Sequence, residues 1–175
     1  MEYFLLLAAN LSFLAFWITR KHPVIKFLAT GLLACYAFNI ANYYLALQFA
    51  LFSLGDIALE IYPLNKSLAL FTAGKLIKLL YLGAYISVLE SILISYILFR
   101  LTRKLIGSYV IVHLIHLYWI IDYGNTGFII SNLLFILSDI LIGIDILGYY
   151  IPHYQYASYP LYWFSNLCSI FESRF

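Results

Sequence analysis

Read for apolar and polar positions, the chain is a series of long apolar runs cut by short polar punctuation. The first run covers residues 3–19 and stops at Arg20-Lys21-His22-Pro23. The second covers 25–52 and ends near Ser53-Leu54-Gly55-Asp56. The remaining three cover 79–99, closing at Arg100; 105–121, closing at Asp122-Tyr123-Gly124-Asn125; and 127–147. A helix rising 1.5 Å per residue needs about 20 mainly apolar residues to cross a hydrocarbon core about 30 Å thick. The five runs therefore predict five transmembrane helices, the second long enough to cross with tilt.

Two stretches fit this pattern less well. Residues 55–78 mix Asp56, Glu60, Lys66, Lys75 and Lys78 with many Leu, Ile and Ala residues. That mixture predicts a helix lying in the membrane interface, with Lys75 and Lys78 snorkelling from the start of the third span. Residues 151–175 carry Tyr154, Tyr156, Tyr159, Tyr162 and Trp163. Rings with one apolar and one wet end gather at headgroup level, so this part reads as an interfacial tail. The expected architecture is an all-α integral membrane protein, one polytopic domain over residues 1–175 built as a bundle of about five transmembrane helices.

Composition strengthens the membrane reading: 65% of the residues are hydrophobic and 10% charged, where soluble domains carry about 25% charged residues. A water-soluble fold of this size has too little interior to hide so much apolar surface. The net charge of +2 gives no argument for nucleic acid, and no nucleic-acid partner is expected. Cys35 and Cys168 fit neither a disulfide framework nor a zinc pattern. No metal and no cofactor is predicted.

The basic residues suggest an orientation. Arg20, Lys21 and Lys26 follow the first span, and Arg100, Arg103 and Lys104 follow the third, which places both groups on one side of a five-span bundle. Asp56, Glu60 and Asp122 fall on the other side. The positive-inside rule then puts the N-terminus outside and the C-terminus in the cytoplasm or its equivalent, in a bacterial or mitochondrial inner membrane. Glu2 ahead of the first apolar run, with basic residues after it, reads as a retained span and not a cleaved signal.

Polar residues at membrane depth are the candidate chemistry. Gly83, Ser87, Ser91 and Ser95 recur every four residues, a ridge on which another helix packs closely. Asn39 and Asn42 form a polar i,i+3 pair in the second run and are read as packing residues as well. Glu90 falls in the third span, where a charged acid costs at least about 2.5 kcal/mol, so it must be protonated, paired or beside water. His113 and His116 share a face of the fourth span with Tyr109, and Asp139 lies near the middle of the fifth. Glu90, His113, His116 and Asp139 are the candidates for a proton or ion path.

The phosphate-binding, dinucleotide-binding, nucleophile-elbow and zinc-protease motifs are all missing from the sequence. The leading reading is a non-enzymatic component of an oligomeric membrane assembly, a homo-oligomer or a subunit beside other membrane chains, forming or lining a proton or ion path. A second reading is a small membrane sensor or effector, as in a bacterial stress or anti-phage system, signalling to a cytosolic protein partner through its basic loops. A third is a membrane enzyme using the histidines and acids as a metal site, which would require a third or fourth ligand beyond the His pair.

Overall fold

A computed structural model describes residues 2–19, 23–61, 64–102, 105–123, 126–146 and 152–172. Arg20, Lys21, His22, Arg103, Lys104, Gly124, Asn125 and Leu147, used above as span ends or basic loops, lie outside the described residues. The described residues form eight helices and no strand. These are α1 (Glu2–Thr19), α2 (Pro23–Asn39), α3 (Tyr43–Ile61), α4 (Leu64–Tyr81), α5 (Tyr85–Thr102), α6 (Leu105–Tyr123), α7 (Thr126–Ile146) and α8 (Gln155–Glu172). The chain divides into two compact units, Met1–His116 and Leu117–Phe175, with the boundary inside α6.

The run 25–52, read from sequence as a single span, is broken into α2 and α3 by a tight turn at Ile40-Ala41-Asn42. Ala41 adopts a left-handed φ of 59°. The amide of Asn42 donates to the Ala37 carbonyl at 3.0 Å and that of Ala41 to the Phe38 carbonyl at 3.0 Å. This is the Schellman closure of a helix C-terminus. Asn42 then starts the next helix, its Oδ1 accepting from the Leu45 amide at 3.0 Å as an N-cap. Asn39 bonds back to the Cys35 carbonyl. The Asn pair therefore ends one helix and begins another, in place of the packing role expected of it.

The same device separates α4 from α5. Gly83 sits at φ 77°, with Ala84 N donating to Leu79 O and Gly83 N to Leu80 O, each at 3.0 Å. The expected third span, 79–99, thus begins with the last turn of α4, and the new helix starts at Tyr85. A Cβ at Gly83 would meet nothing within 4 Å. Its function in the fold is to supply a positive φ, not to make room for a neighbouring helix.

Residues 55–78, expected as one interfacial helix, are the end of α3 and most of α4. In the first unit, α1 packs on α2, α2 on α3 and α3 on α4. The α3–α4 pair is an antiparallel hairpin whose axes approach closely at glycines. The Phe71 ring lies about 3.0 Å from where a Cβ on Gly55 would be, and the Phe52 ring 2.5 Å from one on Gly74. The two rings meet with centroids 5.5 Å apart. Ser67 Oγ adds a 3.0 Å bond to the Gly55 carbonyl. Lys75 and Lys78 are buried in α4, 2% and 4% exposed, so the snorkelling expected of them is absent.

In the second unit the C-terminal stretch, expected as an interfacial tail, forms α8 and pairs antiparallel with α7. Ser158, Tyr162, Ser165 and Ser169 recur at helical spacing on the buried face of α8. Ser131 Oγ of α7 donates to the Ser165 carbonyl at 2.8 Å and lies 2.7 Å from Ser169 Oγ. Ser138 Oγ donates to the Ser158 carbonyl at 2.9 Å, and the Phe135 and Tyr162 rings meet between these contacts. Gly127 lies against the Glu172 side chain, leaving no space for a Cβ.

Among the described residues the interior is mixed, with Phe49, Phe52, Leu79, Val112 and Ile120 buried beside polar side chains. Exposed apolar side chains form continuous stripes: Phe4, Leu7, Leu11, Leu14 and Ile18 on α1, and Ile130, Leu133, Leu137 and Ile140 on α7. Buried residues include Thr30, Gln48, Ser53, Asp56, Lys75, Lys78, Asn132 and Asn166. One stretch, Thr126–Ile144, is long and apolar enough to cross a membrane by length and composition. The apolar parts Tyr3–Thr19, Val24–Asn39, Tyr43–Leu59 and Tyr109–Asp122 are shorter.

Candidate functional site

The most concentrated chemistry lies between α2 and α3. Folding back at Ala41 brings the first turn of α2 beside the last turns of α3, at the same end of the hairpin. Lys26 Nζ stands 2.8 Å from Asp56 Oδ1, with the two side chains 14% and 0% exposed. Thr30, one turn along α2, donates its hydroxyl to Asp56 Oδ2 at 3.1 Å. Ser53, one turn before Asp56, donates to the Phe27 carbonyl at 2.9 Å. Gly31 lets the helices approach here, since its Cβ would fall 3.3 Å from Ser53 Oγ.

The site thus brings together a carboxylate with no solvent exposure, the Lys26 ammonium and the Thr30 hydroxyl. Taking an acid out of water is repaid only by a close counter-charge and by hydrogen bonds to its remaining lone pairs. Lys26 supplies the first and Thr30 the second. A carboxylate held this way can bind a proton or a small cation in exchange for its lysine. The sequence reading placed Lys26 and Asp56 on opposite sides of a membrane because it counted a single crossing between them. The Ala41 turn makes two helices there, and the two charges meet.

The residues singled out from sequence distribute differently. Glu90 is exposed on α5, while Ser87 and Ser91 are buried and Ser95 is half-buried. His113 and His116 are both buried on α6, as a shared face requires. His113 Nδ1 lies 3.0 Å from the Tyr109 carbonyl, and the two rings meet at a tilt of 56° with centroids 4.3 Å apart. A carbonyl accepts only, so this nitrogen carries a proton. Asp139 is half-buried on α7, in the second unit. Among the described residues no group of three His, Cys, Asp or Glu side chains is placed to hold a metal ion.

Asp56 and Lys26 were not among the residues chosen from sequence. The signal that could have found them is the Asn39-x-x-Asn42 pair. Two asparagines bracketing Ala41 inside an apolar run mark a cap and a turn as readily as a packing pair. Once a turn is placed there, antiparallel pairing puts residue 26 level with residue 56.

Compared with known proteins, the chain matches no family model, and no curated protein or solved structure is significantly similar to it.

Proposed function

We propose that this chain is a multi-pass, non-enzymatic membrane component, lipid-facing on its apolar exterior, in which the buried Asp56–Lys26–Thr30 group is a proton or cation site. The observation that carries the reading is the apolar exterior, together with charged and polar side chains buried beside the apolar core. Leu, Ile and Phe form the exposed stripes while Asp, Lys, Ser and Asn are buried. In water such an exterior would drive aggregation; in lipid it meets a solvent of its own kind. Helices there associate through small and hydroxyl-bearing residues, which is how α7 and α8 pair. Several apolar stretches are short for a bilayer, and a short span is accommodated by local thinning at modest cost.

The ion-site part rests on Asp56. Ionisable residues inside a membrane domain are expensive and are kept where they pair or move charge. Lys26 is the partner here, and exchange of a proton or cation for the lysine ammonium is the step this geometry allows.

Two experiments test the two parts. Membranes containing the chain are washed with alkaline carbonate; retention in the pellet is expected, and release as monodisperse soluble protein contradicts the membrane reading. Purified protein is then reconstituted in vesicles and proton and monovalent-cation flux followed by dye. Flux lost in Asp56→Asn is expected, whereas wild-type vesicles as tight as empty ones would remove the ion-site part alone.

A further inference from the structure

Among the described residues the α5 helix packs only lightly on α4, and most of its side chains after Val88 are exposed. Ile86, Glu90, Leu93, Ile97 and Arg100 are all exposed. Their spacing alternates four, three, four, three. That is the heptad seam of a helix that pairs with another helix. The seam is apolar except for one acid near its start and one base near its end. It lies on the side of the helix away from Ser91 and Ser95, so it is separate from the small-residue ridge.

The charges select the partner and its direction. A second copy packed parallel would set Glu90 against Glu90 and Arg100 against Arg100. Packed antiparallel, with the two-fold axis level with residue 95, the four layers from Glu90 to Arg100 are complementary: Glu90 faces Arg100 of the second copy, Leu93 faces Ile97, and the same contacts repeat beyond the axis. Such self-complementarity is what a two-fold homodimer interface requires. The opposed ends of the seam lie about 15 Å apart along the helix, from the rise per residue, so two copies satisfy both ion pairs at once.

We infer that the exposed α5 seam is an antiparallel homodimer interface, with Glu90 of each copy paired to Arg100 of the other. The inference rests on the membrane reading in that lipid leaves Glu90 no water on this face. If α5 crosses the bilayer, the two copies are inserted in opposite senses. Paired in this way, Glu90 has a structural counter-charge and a role in assembly, distinct from the ion-path role that the sequence suggests for it.

The test is a charge-swap cycle on the full chain in mild detergent, with mass read by light scattering. Wild type is expected to be dimeric. Glu90→Arg alone and Arg100→Glu alone each put like charges in both outer layers and are expected to weaken dimerisation about tenfold or more. The double variant E90R/R100E restores opposite charges and is expected to recover the dimer. Loss in both single variants without recovery in the double overturns the pairing, as does a monomeric wild type.

Cross-linking keeps direction testable where a swap impairs folding. In a background with Cys35→Ser and Cys168→Ser, chains carrying Leu93→Cys and Ile97→Cys are co-expressed and oxidised. Disulfides joining 93 to 97 are expected, and predominant 93–93 and 97–97 products would overturn the antiparallel arrangement. Both readouts are independent of carbonate extraction. A chain that stays in membranes yet is monomeric sinks this inference and leaves the membrane reading standing.

Discussion

Single residues decide where this chain bends and what its interior tolerates. Asp56 is buried against Lys26 and Thr30, and removing one partner of a buried pair leaves the other charge uncompensated. Lys26→Met is expected to lower stability by about 3–5 kcal/mol. Pairing it with Asp56→Leu should recover part of that loss, because the two charges of this pair are then removed together. Unfolding titrations in detergent check this, and equal stability of the single and double variants would show that the pair is not coupled. Ala41 is the second such residue. Its φ of 59° is one that side-chain-bearing residues reach at a penalty of about 1–2 kcal/mol, and glycine occupies the equivalent turn at Gly83. Ala41→Gly is expected to raise stability by about 1 kcal/mol, seen as a higher melting midpoint. A lower midpoint would mean that the turn is not the conformation that limits the hairpin.

At the scale of helices, apolar periodicity locates some elements well and others poorly, for identifiable reasons. The runs 3–19, 105–121 and 127–147 fall on α1, α6 and α7 to within about two residues, because polar or turn residues close each of them. The break between α2 and α3 is hidden because its left-handed residue is alanine, which carries no turn signature, and because hydropathy is blind to a change of direction. The division of 55–78 between α3 and α4 is hidden for another reason: five charged residues look like a surface helix when three of them, Asp56, Lys75 and Lys78, are in fact buried. Of the candidate site, the buried histidine face was legible from its i,i+3 spacing. The Lys26–Asp56 contact was not, since it depends on the concealed turn. Packing of the α3–α4 hairpin depends on the glycines under the phenylalanine rings. A methyl at Gly74 would stand 2.5 Å from the Phe52 ring, and relieving such an overlap costs about 1–3 kcal/mol. Gly74→Ala should therefore destabilise the hairpin by about that amount, and Phe52→Leu in the same chain should relieve part of it. Unchanged stability in Gly74→Ala would show that the ring moves aside freely.

For the whole molecule, the proposal joins two facts that a soluble fold would set against each other: exposed aliphatic stripes on several helices and buried polar side chains. Lipid around the stripes accounts for both, since the polar groups then have only each other to bond with. The most direct test is the environment of the stripes themselves. Single nitroxide labels would be placed at Leu11, Leu114 and Leu137, all exposed apolar positions, in protein reconstituted in vesicles. Their collision rates with oxygen, which concentrates in lipid, and with a water-soluble nickel chelate would then be compared. Oxygen collisions well above nickel collisions at all three sites are the predicted result. Nickel collisions dominating at these positions would mean that the stripes face water, and would contradict the account at its centre.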